Sequence, residues 1–515
     1  MPDAHPDVHA ERTPDKPAYV MAGSGAVVTY RELTDASRRI AGLLRDRGIR
    51  HGDAVAILME NHPRFLQVAW AAQRSGLRYV AISSRLLADE VAYILRDSGA
   101  RALFTTAALV DVARGALADA PDVQWRFGAD GAVDEFEDLG AASAAFPPKP
   151  HPDDAEGVDL LYSSGTTGRP KGVVVELPLT PLGTPPAVAA LLQGRWDFGP
   201  DTVYLSPAPL YHAAPLRFTM TVHRFGGTCV VMERFDPLRA LELIERHRVT
   251  HVQMVPTMFI RLLKLPEEDR KRFDTSSLEA VIHAAAPCPP PVKRQMIEWL
   301  GPVIHEYYSS TEGNLFTVIT SEEALERPGS VGRSILGVPH IVDEDGHEVE
   351  TGEVGTIWAE AGLDFEYHND PEKTAAARDE RGWTTVGDIG YLDEDGYLYL
   401  TDRKADTIIS AGVNVYPLEA ENVLVTHPEV GDVAVFGVPD EDLGERVHAV
   451  VQPASMDAAG PELADELRRF CREHLADYKC PRTIDFRPEL PRHPTGKLYK
   501  RLLRDEYAGR AGRPA

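Results

Sequence analysis

Cysteine is scarce, with Cys229, Cys288, Cys471 and Cys480 the only four in 515 residues. None forms a CxxC pair, and their spacing suits neither a zinc site nor a disulfide framework. They read as free thiols of a reducing cytoplasm, and Cys471 and Cys480 as packing residues. No apolar run approaches the ~18 residues needed to span a membrane. The N-terminal MPDAHPDVHAERTPDKP is polar and broken by proline, which excludes a signal peptide as the reading of that stretch. Excess positive charge is missing as well. A formal net charge of −25 argues against nucleic acid or an anionic membrane as a general partner. No internal repeat and no GxxxxGK[ST] spacing occur. The expectation is therefore a soluble, cytoplasmic protein, monomer or homodimer.

At 515 residues the chain is too long for one core, so at least two domains are expected. From Tyr30 to Leu103 amphipathic helices alternate with short apolar strands. Arg31–Arg47 and Arg64–Ser75 have helical spacing, stopped by Gly48 and Gly76, while Ala54–Met59 and Tyr79–Ile82 are strand-like. The alternation resumes from Thr228 to Trp299, and such alternation predicts a parallel sheet covered by helices. Ala141–Pro152 and Glu176–Pro186 read as connectors, the second because its prolines forbid a helix. Residues 337–401 are rich in Asp/Gly turns and suggest an all-β subdomain. A small α/β pattern begins at Asp406. The expected architecture is therefore α/β. Residues 1–403 form a large N-terminal domain of helix-covered sheets plus a β subdomain, and residues 404–515 a small mobile α+β C-terminal domain.

One stretch carries more chemistry than any other. Residues 162–173 read YSSGTTGRPKGV and follow the apolar run Val158–Tyr162, which reads as one buried strand. Ser163, Ser164, Thr166 and Thr167 supply hydroxyls, Gly165, Gly168 and Gly172 allow close backbone approach, and Lys171 adds a mobile cation. Together they suit a polyphosphate. On so acidic a chain a polyphosphate site needs local positive charge, which Arg169, Lys171, Arg403 and Lys497 can supply.

Further signatures follow in order: Pro209-Leu210-Tyr211-His212, His283-Ala284-Ala285-Ala286-Pro287, Tyr307-Tyr308-Ser309-Ser310-Thr311-Glu312, Val386-Gly387-Asp388, Asp402-Arg403-Lys404-Ala405-Asp406 and Pro494-Thr495-Gly496-Lys497. With the Ser/Gly/Thr loop, this series resembles the adenylate-forming superfamily of acyl-CoA synthetases, luciferases and adenylation domains. Bacterial fatty-acid and aryl acyl-CoA ligases are the nearest in kind, and the resemblance runs from about Thr29 to Tyr507.

The resemblance implies ATP, Mg²⁺ and coenzyme A, and a reaction in which a carboxylate attacks the α-phosphorus of ATP and expels pyrophosphate. Two anions must meet, so positioning and charge neutralisation supply most of the catalysis. By this likeness Lys497 bridges carboxylate and α-phosphate. Asp388 accepts from the ribose hydroxyls, with Arg403 completing the clamp. Thr311 donates to the α-phosphate, and Glu312 is the hard oxygen ligand for Mg²⁺. Tyr308 offers a ring face to adenine, which lies against Ala285, Ala286 and Pro287. His212 is a pocket wall or gate. Ala405 is the hinge between two orientations of the C-terminal domain, and Ala411 and Gly412 line the acceptor tunnel.

The departures from the family pattern fall around the acyl group and the acceptor. Ser309 and Ser310 lack the usual Gly, Leu315 replaces another, and Ala411 narrows the tunnel. Added bulk favours a short or flat acid, small or aromatic, over a long alkyl chain, with coenzyme A as acceptor. The same departures suit an ATP-dependent diazotase of secondary metabolism, which activates nitrite and diazotises an aryl amine. A non-catalytic nucleotide-binding regulator is the third reading. Loss of Lys497, Asp388 or Glu312 would mark it, and all three are present.

Overall fold

Ala54–Leu58 is buried at every position, so both faces of its sheet have to be covered. In the computed structural model, which describes residues 4–133, 135–163, 170–403, 406–410, 413–440, 442–492 and 498–511, they are. This strand pairs in parallel with Arg78–Ile82 and Ala100–Thr105. Trp125–Gly128 and Glu137–Asp138 extend one edge of the six-stranded sheet and Val158–Asp159 the other. Helices start where the sequence supplies starts. Tyr30–Asp46 opens on a Thr29–Glu32 capping box, and Pro63–Arg74 places proline in its first turn. The helices and strands expected between Arg31 and Ile82 are present, with ends shifted by a residue.

A second sheet of thirteen strands forms the body of the protein. At its centre Val203–Ser206, His251–Met254, Ala280–His283 and Ile304–Ser309 run parallel. Beyond Ile304–Ser309 the pairing turns antiparallel, through Phe316–Ile319 and Ser330–Leu336, into a meander built on Leu398–Arg403, Asp388–Leu392, Gly355–Glu360 and Val338–Val342. The β region expected from residue 337 is thus present but not set apart. Ser330–Leu336 pairs on both sides and joins it to the large sheet. Gly332 makes that junction possible: its φ is +94°, and a Cβ there would lie 2.0 Å from the Val318 carbonyl oxygen.

Two readings of the sequence are corrected. Val158–Tyr162 is not one strand. Val158–Asp159 joins the six-stranded sheet, and Leu161–Ser163 pairs instead with Lys171–Val174 in a three-stranded sheet completed by Glu366–Tyr367. The Ala141–Pro152 connector starts inside a helix, Leu139–Ala144, because the Asp138 side chain accepts from the Gly140 and Ala141 amides and caps it. Glu176–Pro186 is free of helix, as its prolines require.

After Arg403 the chain builds a separate five-stranded sheet around Val430–Asp440 and Gly444–Pro453, flanked by helices Pro417–Leu424 and Pro461–His474. Cys471 and Cys480 are buried with Leu467 and Val451 in its core, and all four cysteines are free. Among the described residues no helix is long and apolar enough to cross a membrane.

The polar N-terminus does more than its composition suggests. Helix Pro6–Arg12 brings Asp7 onto Arg74, with Nη2–Oδ2 at 2.7 Å and Nη1–Oδ1 at 3.0 Å, and Arg38 donates to the same carboxylate. Arg74 is 1% exposed and also meets Asp154. Beside it Arg224 pairs with buried Glu156, which accepts from the Gly183 amide and so fastens the proline-rich connector. Burial raises the cost of the Asp7 charge, but hydrogen bonds from His5 and Arg74 outweigh it and hold the carboxyl well below its usual range. Burial pushes His223 down to about 3, keeping it neutral.

Removing one partner of a buried ion pair strands the other charge. Arg74→Met is therefore expected to cost about 3–5 kcal/mol of unfolding free energy, measured by urea denaturation. In acid the unfolded chain protonates His223 near its ordinary pKa of about 6.5 and Asp7 near about 3.9, while the folded protein resists both. Stability is predicted to fall as pH drops below about 6.5 and to fall again below about 4, and Asp7→Asn should flatten only the second step.

Candidate active site

Strands Leu161–Ser163 and Lys171–Val174 form a hairpin, with Lys171 opposite Ser163 in register. They bracket the Ser/Gly/Thr run, whose Ser164, Gly165, Thr166, Thr167 and Gly168 lie outside the described residues, as do Ala405, Ala411, Gly412 and Lys497. Two contacts to Asp97 tie this small sheet to the six-stranded layer. Tyr162 donates to Asp97 at 2.6 Å, and Asn369 donates to the carbonyl of the same Asp97 at 2.9 Å. A Cβ at Gly172 would lie 3.0 Å from the Tyr162 ring, so a larger residue would have to shift that ring. Lys171 places its ammonium 4.8 Å from the centre of the Tyr367 ring.

Tyr367, on the third strand of this small sheet, also donates from its hydroxyl to Glu312 Oε1 at 3.0 Å. Burial and then the Glu312 charge push the Tyr367 phenol well up, so it stays a donor at neutral pH. Glu312 is itself buried. With one oxygen satisfied by Tyr367, the other is left for a hard cation, and the adjacent Thr311 hydroxyl is of the right type to join it. Among the described residues the grouping of three potential metal ligands lies elsewhere, at Asp343, Asp345 and His347 on an exposed turn.

Alternation along Ile304–Ser309 separates the two tyrosines. Tyr307 faces the core, stacked on Phe316 at 4.8 Å between centroids. Tyr308 faces the other way and donates to Asp388 Oδ2 at 2.7 Å. Asp388 begins its strand directly after Gly387, whose φ is +82°, and it pairs in register with Arg403. Ser310 and Thr384 are joined by Asn314. Its amide oxygen accepts from the Ser310 hydroxyl at 3.2 Å, and its amide nitrogen donates to the Thr384 carbonyl at 3.4 Å. The Thr311–Glu312 turn and the approach to Asp388 are therefore tied to each other.

Strand Ala280–His283 ends at the small-residue segment. Ala285 and Ala286 are exposed, Pro287 is half-buried, and Ala285 holds a left-handed φ of +77°. For a residue with a Cβ that is strained, and such strain gathers at ligand-binding turns. Beneath it His283 is fully buried and held neutral by burial and by the nearby Lys293 charge, which pairs with Glu306. His212 caps the start of helix Ala213–Arg224, its ring 4.6 Å from that of Tyr211. Ser309 and Ser310 are half-buried at the end of their strand. Leu315 is buried among Val331, Ile341, Ile357, Ala359 and Leu398, on the meander side of the turn.

Two residues escaped the sequence reading. Tyr367 sits in a two-residue strand with no periodicity to mark it. Arg217, half-buried, pairs with Asp159 beneath Thr311, and in the sequence it looks like an ordinary surface charge. A charge inside an otherwise apolar run, as Asp159 is between Val158 and Leu160, was the available signal.

Comparison with known proteins identifies the family. The AMP-binding enzyme family matches residues 7–361, and the AMP-binding enzyme C-terminal domain matches residues 419–497. A long-chain-fatty-acid–CoA ligase of Mycobacterium tuberculosis is 33% identical over 506 residues, covering 96% of each chain. A feruloyl-CoA synthase of Amycolatopsis is 34% identical over 94% of each chain. The solved o-succinylbenzoate CoA synthetase of Bacillus subtilis, in complex with its acyl-adenylate intermediate, superposes with a TM-score of 0.81 at 28% identity over 98% of both chains. The Ser/Gly/Thr hairpin, the phenol-held carboxylates and both matched segments occur in one uninterrupted chain, which belongs to the AMP-binding enzyme family of adenylate-forming ligases.

Proposed function

We propose that this chain joins a small or aromatic carboxylic acid to coenzyme A at the expense of ATP, releasing AMP and pyrophosphate. The observation that carries the reading is the pair of carboxylates held by phenols: Tyr308 on Asp388 and Tyr367 on Glu312. A ribose needs an acceptor-only group at fixed reach, and a triphosphate needs a hard anion beside it to hold a cation. Both are present on turns that Asn314 links.

In the first step the acid's carboxylate oxygen attacks the α-phosphorus, a new O–P bond forms, and pyrophosphate leaves. Thr311 and Lys171 offer a hydroxyl donor and a cation to the phosphates, and Lys497 bridges the two anions. Asp388 and Arg403 hold the ribose, and the exposed backbone of Ala285–Pro287 receives the adenine against Tyr308. Ser163, Ser164, Gly165, Thr166, Thr167 and Gly168 cradle the β- and γ-phosphates. Glu312 would hold Mg²⁺, which when bound neutralises charge on the phosphate oxygens. In the second step the coenzyme A sulfur attacks the acyl carbon, and AMP leaves with the oxygen that came from the acid.

His212, Ser309 and Ser310 shape the acyl pocket, with Leu315 packing behind that turn, and their bulk favours flat or short acids. The boundary at residues 403 and 404 divides the adenylation domain from the C-terminal domain, which turns about Ala405 to bring Ala411 and Gly412 to the acceptor. Named relatives that take feruloyl and succinylbenzoyl groups support the aromatic class. No observation favours nitrite activation or a non-catalytic role.

Lys497→Ala is expected to lower acyl-adenylate formation at least about 100-fold while sparing thioester formation from a supplied acyl-adenylate, both followed by product chromatography. Asp388→Asn keeps the shape and removes the charge. It should raise KM for ATP about tenfold in steady-state kinetics, with little change in KM for the acid.

A further inference from the structure

Arg217 lies one turn into helix Ala213–Arg224, among residues that are mostly fully buried. Its Nε meets Asp159 Oδ2 at 2.7 Å, its Nη2 faces Asp159 Oδ1 at 3.4 Å, and its Nη1 donates to the carbonyl of Thr311 at 3.4 Å. Asp159 is 7% exposed and ends the edge strand of the six-stranded sheet, directly ahead of the hairpin that leads into the phosphate loop. The helix belongs to the layer over the thirteen-stranded sheet, and Thr311 follows that sheet's strand Ile304–Ser309. A single side chain thus links the edge of the six-stranded sheet to the turn bearing Thr311 and Glu312.

We propose that Arg217 is a positioning residue for adenylate formation. With Asp159 it sets the Thr311–Glu312 turn in register with the strand end that leads into the phosphate loop. The inference rests on the ligase reading above and adds to it residues that the motif series does not contain. A buried ion pair is a poor way to gain stability, because apolar residues of similar volume usually serve as well. What a guanidinium fork supplies and apolar packing does not is orientation, since two of its nitrogens are spent on one carboxylate and the third direction is thereby fixed. That third direction is the Thr311 carbonyl. Burial works against the Arg217 charge, and Asp159 more than compensates, so the guanidinium stays charged. On the ligase reading, the carbonyl it holds belongs to the residue whose hydroxyl donates to the α-phosphate. A shift of about 1 Å there is enough to cost a large factor in rate.

The test compares wild type, the double variant Asp159→Leu/Arg217→Leu, and Arg217→Lys, which keeps the charge and loses the fork. ATP–pyrophosphate exchange reads the first half-reaction, and thioester formation from a supplied acyl-adenylate reads the second. Amide hydrogen exchange over residues 311–313 reads the turn without any turnover. The double variant is expected to unfold no earlier than wild type, yet to lose about tenfold or more in exchange kcat, with the second half-reaction within about threefold. Its amides at 311–313 should exchange at least about tenfold faster, and Arg217→Lys should share the kinetic defect. Wild-type exchange rates together with wild-type amide protection in the double variant would overturn the proposal. So would equal loss of both half-reactions, the mark of a merely structural pair. A wild-type protein with no ATP–pyrophosphate exchange on any acid would overturn the ligase reading instead, and the amide comparison would still decide whether Arg217 holds the turn.

Discussion

Two phenol–carboxylate hydrogen bonds set the terms for the rest of this protein. Tyr308 holds Asp388, and Tyr367 holds Glu312. A bound nucleotide triphosphate brings several negative charges to a chain that already carries a net −25, so the acids that meet it cannot be left to swing. Each is pinned through one oxygen by a phenol. The large parallel sheet carries Tyr308, the meander carries Asp388, and the three-stranded hairpin sheet carries Tyr367. Two regions of one thirteen-stranded sheet and a separate three-stranded sheet have to be in register for two hydrogen bonds to form. The Gly332 junction, the Asn314 bridge and the Asp97 clamp each fix one part of that register.

The buried ion networks serve the same end. Asp7, Arg74 and Asp154 tie the N-terminal helix to the first layer, and Glu156 with Arg224 fastens the proline-rich connector leaving the hairpin. Charged groups this deep contribute little net stability over apolar packing, but they tolerate few alternative geometries. The acidic surface and the buried cations are then two parts of one arrangement. Repulsion outside keeps non-specific anions away, while fixed positive charge inside is committed to chosen carboxylates.

Much of this was legible in the sequence. Helix and strand order followed from apolar spacing, and the site series was readable because each motif pairs small residues with a polar group at a chain reversal. Asp388 after Gly387 is such a case, and the structure gives that glycine the left-handed backbone it needs. The failures share a cause. Val158–Tyr162 looks like one strand because nothing local reveals that its two halves pair with different sheets. Tyr367, Arg217 and Asp7 act across long stretches of chain, and a lone polar residue carries no sign of its distant partner. The β region was recognised by its turns, whereas its continuity with the large sheet depends on pairing between Ser330–Leu336 and Leu398–Arg403, which is not periodic in either.

The most direct measurement follows oxygen. A panel of short and aromatic acids labelled with ¹⁸O in the carboxylate would be supplied with ATP and coenzyme A, and the nucleotide product weighed by mass spectrometry. Activation through an acyl-adenylate predicts AMP carrying one ¹⁸O, appearing with an acyl-CoA that keeps the other. Unlabelled AMP, or ADP and phosphate with no label in the nucleotide, would contradict the account.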